Sequence, residues 1–188
     1  GSGKTAVAVA AMLLAVARGA QAVLVAPTEL LAEQHMKTMA AMLDDSEVRF
    51  ELLTGSAKPA TRRILLERLV EGDIDMLVGT HALFSEGVVF RDLALAVIDE
   101  QHRFGVHQRA QLRGKGAGEN NRPHQLVMTA TPIPRTLSVS WFGDLDVSII
   151  DEQPPGRQGI RTRHVARRDV AEVYAHLSEC VGRGEQAW

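Results

Sequence analysis

The sequence predicts an α/β domain, a mostly parallel sheet with helices on both faces. Two observations predict it: short apolar runs alternate with helical patterns, and each run stops at a polar cluster. Residues 22–26, 75–79, 93–98 and 125–128 are short and largely apolar, as strands buried on both faces read. Helical segments between such strands supply the crossovers that parallel pairing needs. In sheets of this kind ligands bind beyond the carboxyl ends of the strands. The polar clusters Pro27-Thr28, Thr54-Gly55, Gly79-Thr80, Asp99-Glu100 and Thr129-Ala130-Thr131 all follow such ends, so five clusters on one rim predict one site.

The first helix is expected over residues 6–17, with Val7, Ala10, Ala11 and Leu14 at helical spacing and burial on more than one face. Gly19 stops it. After the first strand, Thr28 is placed to cap a helix whose apolar face runs Leu31, His35, Met39 and Met42. On that face His35 reads as a core residue. Val48 to Leu53 alternates apolar and polar residues and reads as a strand. A helix follows over residues 59–71, with Leu65, Leu66, Leu69 and Val70 on one side and Arg62, Arg63 and Arg68 available to solvent. Residues 113–121 form a polar, glycine-rich surface loop. Pro134 opens a helix expected to reach Phe142, and Val147 to Ile150 reads as a last strand.

After Asp151 the texture changes. Residues 152–160 are a linker by composition, through Pro154-Pro155-Gly156. Arg161 to Val165 reads as a strand. Asp169 and Glu172 form a pair resembling a capping box. Val170, Val173, Tyr174, Leu177 and Val181 line one face of the helix that follows, and little chain remains to cover it. The expected division is therefore a first domain over 1–151, a linker over 152–160 and the start of a second domain over 161–188.

The 188 residues suit one domain and part of another, and the 45% hydrophobic content supports a real core. A net charge of −2 argues against a basic coat for nucleic acid, though not against a local groove. Cys180 is the only cysteine, so no intrachain disulfide forms. No apolar run reaches the roughly 18 residues needed to span a bilayer. His81, His102, His107 and His124 lack metal-ligand spacing, and no zinc site is expected.

Two stretches carry chemistry. Gly1-Ser2-Gly3-Lys4-Thr5 matches the back half of the phosphate-binding loop G-x-x-x-x-G-K-[ST]. A helix N-terminus offers unpaired N–H donors and a partial positive charge to phosphate, and glycine lets the backbone approach closely. Lys4 is placed to reach the β- and γ-phosphates and Thr5 to offer its hydroxyl to Mg²⁺. The first glycine of the motif and the strand before it are expected upstream of Gly1. Second, the run Leu95 to Ile98 delivers Asp99 and Glu100, a carboxylate pair at a strand end. Asp99 suits the Mg²⁺ shell, and Glu100 suits orienting or deprotonating an attacking water. Each motif alone is weak; together, in an alternating β/α pattern, they support each other.

Residues 99–106, Asp-Glu-Gln-His-Arg-Phe-Gly-Val, followed by residues 129–136, Thr-Ala-Thr-Pro-Ile-Pro-Arg-Thr, resemble the superfamily 2 DNA helicases and translocases. The RecG-type branch-migration helicases are the most similar. Residues 26–35, 78–83 and 151–157 agree, so the resemblance covers essentially the whole chain. It implies a RecA-like P-loop NTPase domain, truncated at both ends, from an ATP-driven motor that remodels replication forks and Holliday junctions in recombination and repair. It implies ATP and Mg²⁺ as cofactors, DNA as a largely sequence-independent partner, and a bacterial cytoplasmic setting. It implies further that Gly1, Ser2, Gly3, Lys4 and Thr5 bind nucleotide, with Thr5 and Asp99 toward the metal. Lys4 and Glu100 are the catalytic pair. Gln101 and His102 lie beside the second motor domain, and Thr129, Ala130 and Thr131 couple nucleotide state to DNA. Pro27, Thr28, Glu29, Thr54, Gly55, Gly79, Thr80 and His81 face DNA, where small hydroxyls and backbone N–H groups position a strand without reading sequence.

Two other readings stay open at this point. A transcription-repair coupling factor shares these motifs, although Gln101 and the Pro-Pro-Gly-Arg linker favour the RecG type. A nucleotide-binding switch without motor work predicts no coupling segment, which Thr129-Ala130-Thr131 counts against. A second motor domain with its arginine finger and a wedge domain are expected partners in the parent chain. Because such a finger is worth about 10³–10⁵ in rate, little ATPase activity is expected of residues 1–188 alone.

Overall fold

The computed structural model describes residues 3–100, 112, 114–115, 122–130, 146–151, 162 and 164–186. The chain divides into two units, Gly1–Glu152 and Gln153–Trp188.

In the first unit, five strands form one sheet: β1 (Gln21–Val25), β2 (Phe50–Leu53), β3 (Met76–Gly79), β4 (Leu93–Asp99) and β5 (His124–Met128). Their spatial order is β2-β3-β1-β4-β5, and every pairing is parallel. The helices are α1 (Lys4–Val16), α2 (Glu29–Met42) and α3 (Pro59–Glu71), with a short 3-10 helix at His81–Phe84. Side chains alternate across the strands, so the sheet separates two apolar layers. Ala22 and Leu24 of β1 pack with Ala8, Val9 and Met12 of α1 and with Ala32 and Met39 of α2. Val23 and Val25 pack on the other side with Leu65 and Leu69 of α3 and with Leu83 and Phe84. Helices therefore cover both faces, as the sequence pattern predicts.

The register brings the strand ends level. Leu53 pairs with Gly79, Gly79 with Val25, Val25 with Ile98, and Asp99 with Met128. The opposite ends are closed by polar clips. The Gln21 amide donates to the carbonyls of Leu69 and Ile74 and accepts from the amides of Arg91 and Asp92, so this buried side chain is fully paired. Arg49 grips Asp75 through its backbone amide and its guanidinium and also reaches Asp73.

Several expectations need correction. The buried face of α1 is Ala8, Val9, Met12 and Ala15, while Val7 and Leu14 are exposed. In so apolar a helix, the sequence offers little contrast between faces. The buried face of α2 is Ala32, His35 and Met39, while Met42 is exposed. Only Leu65 and Leu69 of α3 are buried, and Val70 is exposed. Arg62 and Arg68 are not simply solvated: they bond Ser85 and Glu51. β5 is buried only at Met128, since β4 is its one neighbour among the described residues. Residues 147–150 form no strand. Val147, Ile149 and Ile150 are exposed, and no described neighbour offers them a hydrogen-bonding ladder. In the predicted polar loop over 113–121, Lys115 is half-buried and donates to the carbonyls of Ser85 and Val88. The helix expected from Pro134 lies outside the described residues.

The second unit, as described, is a 3-10 turn at Arg167–Asp169 leading into α4 (Val170–Gly182). Thr162, His164 and Val165 are not in a strand. Asp169 sits at the N-cap position of α4 but makes no capping bond with its side chain. No residue of α4 is buried, and Tyr174 and Val181 of the predicted apolar face are exposed.

Candidate active site

The segment expected to bind nucleotide leads into α1. Gly3 is its N-cap, at φ 83 and ψ 5, a left-handed conformation that a side chain would strain. The Gly3 carbonyl accepts from the amides of Ala6 and Val7, which closes the first turn and leaves the earlier N–H groups to point beyond the helix. Lys4 and Thr5 lie in this first turn, both partly exposed. Gly1 and Ser2 lie outside the described residues.

β4 carries Asp99 to its last position and Glu100 just beyond. The two carboxylates are sent apart by the backbone. Glu100 has φ 50, the one positive value among non-glycine residues described. Its amide donates to the Met128 carbonyl at 2.9 Å, in line with the β4–β5 ladder. Its carboxylate then turns toward the end of β5, where Ala130 N donates to Oε1 at 3.2 Å and Thr129 Oγ1 to Oε2 at 3.4 Å. Asp99 turns instead toward α2. It is buried, and His35 Nε2 lies 2.8 Å from its Oδ2. A carboxylate has no hydrogen to give, so the imidazole N–H is the donor. His35 was expected to be only a core residue. It is buried as expected, yet its partner is the predicted metal ligand 64 positions away.

No cluster of three or more His, Cys, Asp or Glu is arranged to hold a metal among the described residues. Mg²⁺ beside a nucleotide needs no such cluster: it takes one or two protein oxygens and completes its shell with phosphates and water. Asp99 Oδ1 accepts no hydrogen bond among the described residues, and the Thr5 hydroxyl lies in a helix first turn, so Asp99 and Thr5 fit the role.

The ends of β1, β2 and β3 bring the predicted DNA-facing segments together. Thr28 caps α2 by accepting from Leu31 N at 3.3 Å, and it stays exposed. Glu29 reaches across to the turn after β2: its carboxylate accepts from Ser56 N at 3.1 Å and from Ser56 Oγ at 3.0 Å. The Ser56 hydroxyl, then its amide, holds the Glu29 carboxyl below its ordinary range. Thr54 Oγ1 is 2.9 Å from Ser56 Oγ. A Cβ added at Gly55 would sit 3.6 Å from Glu29 Oε1 and 4.0 Å from His81 Cε1, so three segments converge there. Glu29 thus serves the turn, and its carboxylate is no partner for phosphate. Gly79 and Thr80 are buried rather than facing outward. A Cβ at Gly79 would meet the Leu53 carbonyl at 2.1 Å, which makes this glycine a requirement of the β2–β3 approach. Thr80 Oγ1 has no hydrogen-bond partner among the described residues. His81 alone of that segment is exposed. Gln101, His102 and Thr131 lie outside the described residues.

Comparison with known proteins decides the family, because residues 1–139 match the DEAD/DEAH box helicases. The chain belongs to the DEAD/DEAH box helicase family. It is 50% identical over 189 residues to the ATP-dependent DNA helicase RecG of Pasteurella multocida and 51% identical over 188 to that of Synechocystis. These alignments cover all of this chain but only 27% and 22% of those proteins, so it spans about a quarter of their length. Its fold matches RecG bound to a three-way DNA junction, with a TM-score of 0.84 and 39% identity over 98% of this chain and 24% of that one. The DUF1998 helicase MrfA bound to DNA matches in fold at a TM-score of 0.51 and 22% identity. The parallel sheet with helices on both faces is thus RecA-like, and a helicase domain of this family binds ATP. Among the described residues no helix is long and apolar enough to cross a membrane.

Proposed function

We propose that this chain is the first motor domain of an ATP-driven DNA translocase that remodels branched DNA, with Mg²⁺ as its metal. One observation carries the reading furthest: Glu100 at the end of β4 is held by Thr129 and Ala130 at the end of β5. A group suited to activating water is thereby tied to a segment suited to reporting nucleotide state. The likeness to RecG supports branched DNA as the substrate and makes the coupling-factor and switch readings weaker.

In this mechanism the α1 N-terminus and Lys4 bind the phosphates. Thr5 and Asp99 would hold Mg²⁺, which would supply neutralisation of the phosphate charge. Glu100 orients the attacking water and accepts its proton. Thr129 and Ala130 fix the direction of the Glu100 carboxylate, so any movement of β5's end moves the base. Gln101, His102 and Thr131 extend the coupling. Thr28 and His81, exposed beside the Thr54–Ser56 turn, present donors to a DNA backbone, while Pro27 and Gly79 shape the strand ends behind them. Residues 161–188 begin a second motor domain after a linker over 152–160, and the setting is the bacterial cytoplasm.

The test measures ATP turnover of the native-length protein with and without a three-way junction. DNA-stimulated turnover, with little from residues 1–188 alone, is expected. No stimulation by any DNA would overturn the reading.

A further inference from the structure

We infer that His35 is a positioning residue for Asp99: it holds one carboxylate oxygen so that the other is presented to the metal shell. The inference rests on the reading of Asp99 as a Mg²⁺ ligand.

The argument begins with the placement of a polar ring in an apolar layer. Ala32, His35 and Met39 are the buried residues of α2, and Ala32 and Met39 pack in the layer shared with α1. An imidazole there is costly unless its polar atoms are paired. Its partner could have been any backbone carbonyl nearby. It is instead Oδ2 of Asp99, at 2.8 Å, with both side chains nearly buried.

The pair is built to be rigid. α2 is capped at Thr28, tied to the next turn by Glu29, and pinned against the sheet by Ala32 and Met39 on either side of His35. Asp99 is the last residue of β4, paired in register with Met128. A hydrogen bond from a fixed helix to a strand-end carboxylate removes the freedom of that carboxylate to rotate. Outer partners of this kind orient metal ligands, and their loss typically costs 10–100-fold in metal affinity. The neighbouring carboxylate has a separate arrangement, since Glu100 turns away to Thr129 and Ala130. Each of the two acids therefore has its own support, drawn from a different element.

The experiment uses the native-length protein and measures Mn²⁺ affinity in the presence of ADP by electron paramagnetic resonance, with metal-free ADP binding alongside. The variants are His35→Leu, which keeps the buried volume without the donor, His35→Gln, whose amide N–H reaches to the same depth, and Asp99→Asn. H35L is expected to weaken Mn²⁺ binding about tenfold or more, with metal-free ADP affinity within about twofold, and H35Q to recover most of the loss. Normal Mn²⁺ affinity in folded H35L, or an H35Q as weak as H35L, would overturn the inference. If D99N binds Mn²⁺ normally, the underlying reading of Asp99 is what fails. Should H35L not fold, His35→Met replaces it. Folding with glutamine but with neither apolar residue makes the pair a requirement of the fold and also overturns the proposal.

Discussion

At the ends of β4 and β5 the rim presents carboxylates, each held from a different side: Asp99 by His35, Glu100 by Thr129 and Ala130. At the ends of β2, β3 and β1 the pattern is inverted. There the strand ends carry hydroxyls and backbone amides, with Thr28 and His81 exposed, and one carboxylate, Glu29, takes the Ser56 donors and holds the Thr54–Ser56 turn. The sheet order β2-β3-β1-β4-β5 keeps the two halves contiguous but separate. The difference matches the division of labour proposed for the two halves. Acids suit a metal and a water; donors suit an anionic backbone. Helix α2 starts in one half and delivers His35 to the other.

The comparison breaks most visibly at Glu100. Changing it to glutamine in the native-length protein should lower ATP turnover by about 10²–10⁴ while ATP still binds. Rapid-quench turnover beside nucleotide-binding titration checks this, and unchanged turnover would remove Glu100 from the chemistry. On the other half, Gly79→Ala should cost about 3 kcal/mol or more, because the new Cβ meets a backbone carbonyl that cannot step aside. Urea denaturation reads that loss. If stability is unaffected, the close β2–β3 approach is not as described.

A smaller effect separates the halves directly. Glu29→Ala should raise the Kd for junction DNA about tenfold, as the turn loses its anchor, and move the ATP KM far less. Fluorescence anisotropy and steady-state kinetics distinguish this from equal loss of both, which would merge the two halves into one unit.

The smallest effect lies at the opposite rim and serves as the control. Hydrogen bonds from Arg49 hold the Asp75 carboxyl below its ordinary range. The folded pKa is depressed, so the contribution to stability is present above the unfolded value near 4 and is lost as pH falls through the folded one. Denaturation midpoints followed from pH 6 down to pH 2 should fall less steeply in Asp75→Asn than in the parent chain. Identical slopes would show that the pair contributes nothing.

Much of this was legible in the residues. The apolar runs that became β1, β3 and β4 needed no partner information, because burial on both faces leaves a continuous apolar string. The helix expected over residues 59–71 is α3, and the structure shows why its bounds are sharp: a proline in its first turn and a left-handed Gly72 at its C-cap. Asp99-Glu100 was legible as an abrupt change from apolar to acidic. Features that depend on sheet order were not. Nothing local distinguishes His35 from an ordinary buried histidine, since its partner is brought near only when β1 and β4 become neighbours. Gly79 read as part of a polar cluster, whereas its reason is the Leu53 carbonyl on the adjacent strand. Val147 to Ile150 had a strand's composition but no described ladder to join.

The left-handed backbone at Glu100 sets two selective demands against each other. A glycine there would relieve a conformation that costs an ordinary residue about 1–2 kcal/mol, so pressure for thermal robustness alone favours losing the side chain. On the role proposed for it, Glu100 holds that conformation for the sake of its carboxylate, which Thr129 and Ala130 then secure. Glu100→Gly would then ease the backbone, forfeit those two bonds and leave the proposed chemistry without its base.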